Sequence, residues 1–594
     1  RSSDLSCLLP PASYLLEQLE QAHLFIVRLD AARPWYRYHH LFHEFLRRRL
    51  DRDQPGRRAQ LHRQAARWYA AAGEVTQAVN HALAAEDMPY AADLIVRVAW
   101  EQLSSRGEIA TLLGWAERLP QDQLEGAPLL SLSLGRAAAM SAQATTAERF
   151  FAMAEQGLAR TAANDPHTAK THMKLLLYRA SAALMDGAVG RGEALLAAVE
   201  PALPADDPGM IAGHALAVGL GQLLRGNLTA AYAALDHLEQ MAHRARHEHF
   251  IVDAVQLLVL ADVAAGDLAH AERRGGELFA RFGSNLPPIP ALAVVLARLG
   301  SVAYYRGQLD QAEQILRQGA QHGRRTSGRA PRQTWQWLVR VKIAQRDQDG
   351  LRALLAEDEG RGSMAGGAVL ASLMLALRAE GMLALGARDD AWEWAQRCDQ
   401  VPGEHLREPE TITIARVLLA RGHPAEALAR LAPLIAAAEQ GGRVQHQLEG
   451  LIVQAHALHD LQRTPEALAA LRQALALAEP RGYVQPFLDQ GPLIAALLER
   501  MKDAPGSATP YAAQLLTLSP QPSALSPQPL VEPLTERERD VLRLIAEGAT
   551  NQDIAERLVV SVGTVKTHLN HILGKLNARN RTEAVARARL IGLI

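Results

Sequence analysis

A turn that recurs about every 40 residues constrains the fold of this chain more than any other feature of its sequence. The turns lie at Gly187, Gly226, Gly266, Gly307, Asp347, Gly386, Gly422 and Gln462. An earlier turn at Gly73 belongs to the same class. At such a turn a glycine ends one helix at positive φ, and a small residue four or five positions later lets the next helix pack closely. Because one unit cannot bury its apolar face alone, the period predicts stacked helix pairs.

The predicted fold class is therefore all-α dominated, with an α-solenoid of TPR-like helix pairs. The period of about 40 residues exceeds that of a tetratricopeptide repeat, so each helix is expected to be about one turn longer. The apolar run that most resembles a membrane span, 362–377, is uncharged and bounded by Arg361 and Arg378. It falls short of the roughly 20 residues that a membrane-spanning helix needs, so we interpret it as a repeat helix and expect no membrane partner.

The last part of the chain, residues 534–594, differs from the repeats and predicts four short helices. Helix starts are indicated at Thr535 with Glu538, Thr550 with Asp553, Ser561, and Asn580 with Glu583. The second and third helices are joined by the tight connection Val559–Val562, which predicts a helix-turn-helix. The helix from Val562 is the one expected to enter the major groove of DNA.

The charge distribution of this segment fits a nucleic-acid partner. No acidic residue occurs between Glu556 and Glu583, where five basic residues lie. From Leu534 onward there are ten Lys and Arg against seven Asp and Glu, a net charge of +3. The whole chain is balanced, with 63 basic and 64 acidic residues. Double-stranded DNA is therefore the predicted partner of this segment alone, since phosphates attract a local basic surface.

Three stretches of this segment resemble the LuxR-type DNA-binding domain: LTERERDVLRLIAEG, TNQDIAERL and SVGTVKTHLNHILGKLNARNRTEAV. The resemblance implies that the third helix reads bases and phosphates. By position it assigns DNA contacts to Thr550, Thr564, Lys566, Thr567, His568, Asn570, Lys575 and Arg581. Ala578 stands where the family usually has a larger aliphatic residue, which weakens the expectation of a dimer face on the fourth helix. The alternative is that Lys566 and Lys575 are ordinary solvated charges.

The first 60 residues are of another kind. Residues 24–30 and 35–40 alternate like strands around a polar turn, which predicts a β-hairpin, and the helix LFHEFLRRRLD follows. LEQAHLFIVRLD and WYRYHHLFHEFLRRRL resemble the winged-helix arm of MalT-like regulators, the large ATP-binding members of the LuxR family. The resemblance implies that His39 senses the nucleotide. It also implies that ATP or ADP binds through a missing N-terminal module of the complete protein, and no cofactor is expected in this chain.

Four regions are predicted. They are a winged-helix arm (1–60), a helical-repeat superhelical domain (61–500), a Pro/Ser-rich linker (501–533) and the LuxR-type helix-turn-helix domain (534–594). The linker has seven prolines and is expected to be a mobile tether. Because the chain begins at Arg1, we expect it to be a fragment of a longer protein.

Two further patterns leave their chemistry open. Aromatic pairs at Tyr304–Tyr305, Trp335–Trp337 and Trp392–Trp394 could bind a sugar or a peptide, although repeat packing accounts for them more simply. His243 and His247 are spaced as on one helix face, but neighbouring arginines oppose a metal. No catalytic motif occurs, so no enzyme is expected. Two distant cysteines favour a reducing compartment, the cytoplasm.

The sequence therefore predicts a bacterial transcription regulator, expected to be an activator. Its solenoid would sense a small-molecule or protein effector and would control the DNA-binding head, with self-association on activation. The alternative is a protein-interaction scaffold whose solenoid binds a protein partner. A third hypothesis, an ATP-driven switch, applies to the complete protein rather than to this chain.

Overall fold

A computed structural model describes most of the chain in continuous stretches. These are residues 36–101, 109–140, 143–160, 166–204, 206–245, 248–283, 286–287, 289, 291–327, 332–359, 367–401, 407–502, 510–519, 534–546 and 549–575, with short pieces at 18–19, 21–22, 26–28, 581, 584–585 and 588. The chain divides into two compact units, Arg1–Asp489 and Gln490–Ile594.

The first unit begins with the predicted hairpin. Strands β1 (Ile26–Arg28) and β2 (Tyr36–Tyr38) pair antiparallel, with Val27 opposite Arg37. Helix α1 (His40–Asp53) follows directly. The predicted β-hairpin and its following helix are thus confirmed.

Seven helices connect α1 to the regular array, and they share one apolar core. They are α2 (Arg57–Ala71), α3 (Val75–Ala84), α4 (Met88–Glu101), α5 (Ile109–Ala116), α6 (Gln121–Gly126), α7 (Pro128–Met140) and α8 (Ala144–Ala159). Trp115 is buried in this core and donates a hydrogen bond from its indole to Asn80 Oδ1 at 3.0 Å. Phe150 and Phe151 of α8 are also buried. This region therefore has an apolar core between its helices, as the helix pairs that follow it do.

Helix pairs make up the rest of the first unit. They are α9 (Pro166–Met185) with α10 (Val189–Val199), α11 (Pro208–Arg225) with α12 (Leu228–Ala245), α13 (Glu248–Ala265) with α14 (Leu268–Phe282), α15 (Ala291–Tyr305) with α16 (Leu309–Ser327), α17 (Arg332–Ala344) with α18 (Gln348–Glu359), α19 (Gly367–Ala384) with α20 (Arg388–Asp399), α21 (Glu408–Ala420) with α22 (Pro424–Gln440), and α23 (Val444–Asp460) with α24 (Thr464–Ala478). The 3-10 turns Glu200–Ala202 and Glu479–Arg481 and the short helix α25 (Gln485–Leu488) complete it. The predicted solenoid of helix pairs is confirmed.

The predicted turns coincide with the turns between paired helices. Nine residues there have φ between 59° and 84°: Gly73, Gly187, Gly226, Gly266, Gly307, Arg346, Gly386, Gly422 and Gln462. The sequence placed one of them at Asp347, but its neighbour Arg346 takes the positive φ. Asp347 instead accepts a hydrogen bond from the Gly350 amide at 2.9 Å, as a helix N-cap does.

The array also winds back on itself. Helix α13 contacts α23, and α15 contacts α25, although the two helices of each pair are far apart along the chain. Four of the aromatic residues noted in the sequence are buried where these helices meet or nearby: Tyr304, Tyr305, Trp335 and Trp337. These four side chains pack in the interior of the repeats, whereas Trp392 and Trp394 are only partly buried.

The second unit contains α26 (Pro492–Lys502), α27 (Pro510–Leu518), α28 (Glu536–Ala546), α29 (Asn551–Leu558) and α30 (Val562–Lys575). Helix α27 lies inside the segment that we interpreted as a tether. Its sequence YAAQLLTL buries Tyr511, Leu515 and Leu516, an apolar set at helical spacing that the flanking prolines concealed. Residues 503–509 and 520–533 of that segment, and much of the predicted fourth helix of the head, lie outside the described residues.

The described residues contain neither a membrane-spanning helix nor a metal-binding cluster. None of the helices there has the length and apolar character needed to cross a membrane. Nor do three or more His, Cys, Asp or Glu side chains gather in a metal-binding arrangement within the described stretches. His243 Nδ1 lies 3.2 Å from Arg281 Nη1, and His247 is outside those stretches.

The helix α14 offers a test of the packing between repeats with two adjacent glycines. A Cβ at Gly275 would lie 2.7 Å from Leu299 Cδ2, whereas a Cβ at Gly276 would meet nothing within 4 Å. We expect Gly275→Ala to destabilise the first unit by about 1–3 kcal/mol through overpacking. Gly276→Ala should stabilise it by about 0.5–1 kcal/mol, because alanine is the better helix former. Urea unfolding of both variants measures the difference, and equal effects would contradict the close approach at Gly275.

Candidate nucleic-acid interface

The head owes its shape to an apolar core shared by its helices. The side chains of Val541 and Leu542 (α28), Ile554 (α29), and Val565 and Ile572 (α30) are 0% exposed. Leu544, Leu558 and Leu569 pack against them. Ala584 and Ala588, from beyond α30, belong to the same core.

Three N-caps hold the ends of the head's helices, as the sequence predicted. The Thr535 amide donates to Glu538 Oε2 at 2.8 Å, and the Glu538 amide donates to Thr535 Oγ1. Thr550 and Asp553 form the same reciprocal pair at α29. At α30 the Thr564 amide donates to Ser561 Oγ at 3.1 Å. Because these caps satisfy amides that a helix start leaves free, the start of α30 is held in a defined position.

The turn before α30 carries an unusual backbone. Val559 has φ 55° and ψ 49°, and its side chain is 90% exposed. A β-branched residue in the left-handed region is strained, since its branched Cβ crowds the neighbouring carbonyl. The strain persists because the Val559 and Val560 amides still donate to carbonyls of α29. The helix-turn-helix angle therefore depends on packing and hydrogen bonds rather than on turn propensity.

The exposed face of α30 carries the residues that would meet DNA. Lys566, Thr567 and Asn570 are exposed, while Val565 and Ile572 on the opposite face are buried. Thr567 donates from its hydroxyl to the Gly563 carbonyl at 3.1 Å, and Thr564 Oγ1 lies 2.8 Å from Ser561 Oγ. Lysine and asparagine are the side chains that read guanine and adenine edges in the major groove. This face can therefore read bases, with His568 half-buried at its side.

Three other predicted contacts have partners within the head. Lys575 Nζ lies 2.9 Å from Glu538 Oε2, and their side chains are 16% and 4% exposed. Arg581 Nη2 donates to the Ala549 carbonyl at 2.8 Å, and the Thr550 hydroxyl donates to Asp553. The Lys575–Glu538 pair ties the end of α30 to the start of α28, and Arg581 holds the residue that precedes Thr550. Phosphate contacts by these three residues remain a prediction, and each contact would have to be made by groups that already have partners.

The ionisation of Glu538 supports this arrangement. Burial disfavours its charge, but hydrogen bonds from Lys575 and from the Thr535 amide outweigh burial and hold the pKa of this carboxyl below its ordinary value. His571 Nδ1 lies 3.8 Å from Glu538 Oε1. One buried carboxylate thus caps α28 and anchors the last turn of α30.

His39, the predicted nucleotide-sensing residue, is exposed and immediately precedes α1. Its carbonyl accepts a hydrogen bond from the His43 amide at 2.9 Å, so its backbone starts the helix. Its role in sensing a nucleotide stays a prediction, and that role concerns the complete protein.

A ladder of alternating charges inside the array was not predicted from the sequence. Glu380 Oε1 lies 2.9 Å from Arg416 Nη1, and Glu380 Oε2 lies 3.2 Å from Arg340 Nε. Arg416 Nη2 is 3.7 Å from Glu449 Oε2, which belongs to a fourth repeat. The members follow one another at intervals of 40, 36 and 33 residues, and these intervals, one per helix pair, are the signal that could have found them.

The ladder ends on tyrosine. Tyr305 donates from its hydroxyl to Glu449 Oε1 at 2.8 Å and accepts from Gln445 Nε2 at 2.5 Å. Burial disfavours the charges of Glu380 and Glu449, but Arg340 and Arg416 outweigh burial and lower the pKa of both carboxyls. Both acids are therefore ionised at neutral pH, and the ladder is a set of true ion pairs.

Some polar atoms beside the ladder have no hydrogen-bond partner among the described residues. Trp337 Nε1 and Arg416 Nε are buried donors of this kind. The Trp337 ring lies 5.5 Å from the ring of Tyr304 and 5.4 Å from that of Tyr305. Arg298 Nε is another such donor, and burial lowers the pKa of Arg298 to about 10. Buried donors without acceptors are costly, so an acceptor beside them would stabilise this interior.

Known families match the chain in three places. Residues 174–504 match the MalT-like TPR region, residues 532–588 match the family of bacterial regulatory proteins of the luxR type, and residues 8–58 match the MalT winged helix domain. The resemblance to MalT-like regulators inferred from the sequence is thereby confirmed.

One relative and several solved structures are similar over longer stretches. An HTH-type transcriptional regulator MalT from Serratia proteamaculans (strain 568) is 26% identical over 605 residues, which cover 96% of this chain and 66% of that protein. The chain thus spans about two thirds of its length. The Rap protein complexed with competence and sporulation factor has a TM-score of 0.36 at 12% identity, covering 67% of this chain and 98% of its own. Yeast Tom70 has a TM-score of 0.29 at 12% identity, and the similarity covers 77% of this chain and 99% of Tom70.

The two lysines of α30 allow a test of which one serves the fold. Lys575→Ala leaves the buried Glu538 carboxylate without its closest cation, so we expect the head to lose about 1–3 kcal/mol of stability. Lys566→Ala removes an exposed side chain and should change stability by less than about 0.5 kcal/mol. Hydrogen exchange of the α28 and α30 amides in the full chain measures both. A loss in Lys566→Ala equal to that in Lys575→Ala would show that the ion pair is not an anchor.

Proposed function

Since this chain belongs to the family with the MalT-like TPR region, we propose that its helical-repeat domain senses an effector and thereby controls transcription through the C-terminal head. The match to the luxR family of bacterial regulatory proteins and the similarity to a transcriptional regulator support a regulator whose helix-turn-helix binds DNA. Two features of the chain support control by an effector. One is the exposed base-reading face of α30, and the other is a polar interior of the repeats with donors that lack partners among the described residues.

The mode of DNA binding follows from the few groups that α30 offers. Lys566, Thr567 and Asn570 form one short exposed face, and the head carries a net charge of only +3 (ten basic against seven acidic residues). A protein that neutralises few phosphates binds weakly and with a shallow salt dependence. Two or more heads joined by self-association would reach adjacent half-sites at a high effective concentration. We therefore place activation in self-association, and we assign the regulator the role of an activator.

The effector site is proposed beside the charge ladder. Trp337 and Arg416 present the buried donors described above, and Tyr304 and Tyr305 supply aromatic faces. A small polar molecule with several acceptor oxygens would satisfy these donors while stacking on the rings. Such a ligand would bind to a site assembled from several repeats, so its affinity would depend on how those repeats are arranged. Binding could therefore shift the array between arrangements.

The remaining parts of the proposal concern the complete protein. ATP or ADP would bind through a module outside this chain, with His39 as a sensor of the nucleotide. No catalytic step is assigned to this chain, and its place of action would be the cytoplasm. These assignments are supported by the resemblance of the N-terminal arm to the MalT winged helix domain.

A protein-interaction scaffold is the alternative, and one observation favours it. Leu41 and Phe45 on α1 and Trp68 on α2 are 64%, 55% and 58% exposed. Large apolar side chains exposed close together in sequence are typical of surfaces that meet another protein. Under this alternative the effector is a protein and the interior of the repeats binds no small molecule.

A metabolite screen separates the two functions, with two tryptophans of α17 as matched positions. Trp335 and Trp337 are 4% and 3% exposed, but the Trp335 indole already donates to the Leu354 carbonyl at 2.9 Å. We expect a polar metabolite to raise the melting temperature of the full chain. At a concentration one hundred times its dissociation constant, the metabolite should add about 2.7 kcal/mol to the free energy of unfolding. Trp337→Phe should reduce that rise, while Trp335→Phe should preserve it. A screen without any rise would favour the scaffold.

DNA binding is tested on the full chain with random-library and genomic DNA at two salt concentrations. We expect enrichment of a defined sequence. Lys566→Ala should weaken binding to it by about 1–3 kcal/mol if Lys566 reads a base, or lower the salt slope by about 1 if it contacts a phosphate. Lys170→Ala is the control, since Lys170 is a surface lysine of the repeats that pairs with Asp207. Binding that is unchanged in Lys566→Ala at both salt concentrations would remove Lys566 from the interface.

A further inference from the structure

The segment that follows the last repeat helix does not continue outward but packs back onto earlier repeats. It consists of residues 479–489, with the 3-10 turn Glu479–Arg481 and helix α25. Tyr483 is 0% exposed, Phe487 2% and Val484 8%, so the segment is enclosed by its neighbours. Its partners belong to α13 and α15, several repeats earlier in the chain. We call residues 479–489 the clasp.

Three hydrogen bonds join the clasp to the earlier repeats. The Val484 amide donates to the Tyr305 carbonyl at 2.7 Å, and the Tyr483 hydroxyl donates to the Val263 carbonyl at 3.3 Å. The Tyr304 hydroxyl donates to Asp489 Oδ2 at 2.5 Å. Within the clasp, Gln485 Nε2 donates to the other oxygen of Asp489 at 2.7 Å. The ends of α13 and α15 thus hold the clasp through both backbone and side-chain groups.

Two repeat turns are shaped to receive this part of the chain. A Cβ at Gly307 would lie 3.1 Å from Val484 Cγ1, and a Cβ at Gly266 would lie 2.9 Å from Val444 Cβ and 3.1 Å from Arg481 Cδ. These glycines therefore allow a close approach in addition to their positive φ. By contrast, the turn at Gly386 has the same backbone conformation but open space beyond it.

The clasp joins its buried apolar side chains to polar contacts, of which Asp489 makes two. Burial raises the pKa of Asp489, although hydrogen bonds from Tyr304 and Gln485 oppose that rise. Buried polar contacts of this kind specify one arrangement but add little net stability, because water satisfies the same groups when the contact opens. The polar contacts of the clasp with α13 and α15 can therefore be lost while the helix pairs stay folded.

The clasp also connects two functional parts of the molecule. Tyr305, whose carbonyl accepts the Val484 amide, is the tyrosine that ends the charge ladder, and Tyr304 lies against Trp337. Asp489 is the last residue of the first compact unit, and the chain that leads to the head continues from it. A rearrangement of the ladder would therefore move Tyr304 and Tyr305, which contact the clasp where the chain leaves the repeats.

We propose that the clasp is an autoinhibitory latch: closed on Tyr304 and Tyr305 it restrains the chain that leads to the DNA-binding head, and its release frees that chain for DNA binding. The proposal rests on the DNA-binding function and deepens it by naming the contact through which the repeats exert control. A ligand that rearranges the Tyr304–Tyr305–Trp337 cluster would open the latch.

The test compares two tyrosine–aspartate hydrogen bonds in the full chain. Tyr304→Phe removes the bond to Asp489, which spans 185 residues. Tyr232→Phe removes the bond to Asp262 at 2.9 Å, which spans 30 residues and lies between adjacent repeats. We expect Tyr304→Phe to speed hydrogen exchange of the Tyr483–Asp489 amides about fivefold, the effect of one lost hydrogen bond. Tyr232→Phe should leave those amides at the wild-type rate.

The second readout is the affinity for the DNA sequence selected by the wild-type chain. Tyr304→Phe should bind it about fivefold more tightly in the absence of any added metabolite, and Asp489→Asn should do the same if Tyr304→Phe folds poorly. Faster exchange without tighter DNA binding would overturn the latch, as would tighter binding in Tyr232→Phe to the same extent. If the wild-type chain selects no sequence, the proposed function fails instead, and the exchange experiment still decides whether the clasp opens separately.

Discussion

No helix pair of the repeat array can bury its apolar face alone, and the rest of the structure depends on this constraint. Each pair must be covered by its neighbours, so the pairs stack. Stacking brings equivalent positions of successive repeats next to one another. Residues about one period apart, such as Arg340, Glu380, Arg416 and Glu449, then meet in space. The charge ladder is a consequence of stacking, and the polar interior that we propose as an effector site is a consequence of the ladder.

Stacking also accounts for the contacts that make this array more than a row of pairs. A solenoid with only neighbour contacts would leave its last repeats exposed at one end. Here Arg443 Nη1 donates to the Gly226 carbonyl at 2.9 Å, 217 residues away, and its guanidinium also pairs with Glu408. The bond between Tyr304 and Asp489 is polar in the same way. Tyr483, Val484 and Phe487 of the clasp add buried apolar side chains to these polar contacts. The polar contacts specify which repeats meet, and the apolar side chains are buried where they meet.

The head is held together differently. Its apolar core is small, and hydrogen bonds at the helix ends fix the positions of its helices. Thr535, Thr550 and Ser561 cap its helices, and Glu538 joins the first of them to Lys575 at the end of α30. These groups are satisfied within the head, so they position α30 rather than read DNA by themselves. The exposed face at Lys566, Thr567 and Asn570 is what the positioned helix offers to a base pair.

The sequence by itself determined the features that depend on neighbours along the chain. Periodic glycines showed where the paired helices turn, capping pairs marked three helix starts of the head, and alternation marked the β-hairpin, because each of these is decided within a few residues. It misplaced one turn by a residue, at Arg346, and missed α27, whose apolar set is short and flanked by prolines. Tertiary structure alone decided that Lys575 pairs with Glu538, that four charges from four repeats form a ladder, and that Asp489 meets Tyr304. These contacts join residues far apart in the sequence, and only the stacking and winding of the repeats, or the packing of α30 on α28, brings them within hydrogen-bond distance.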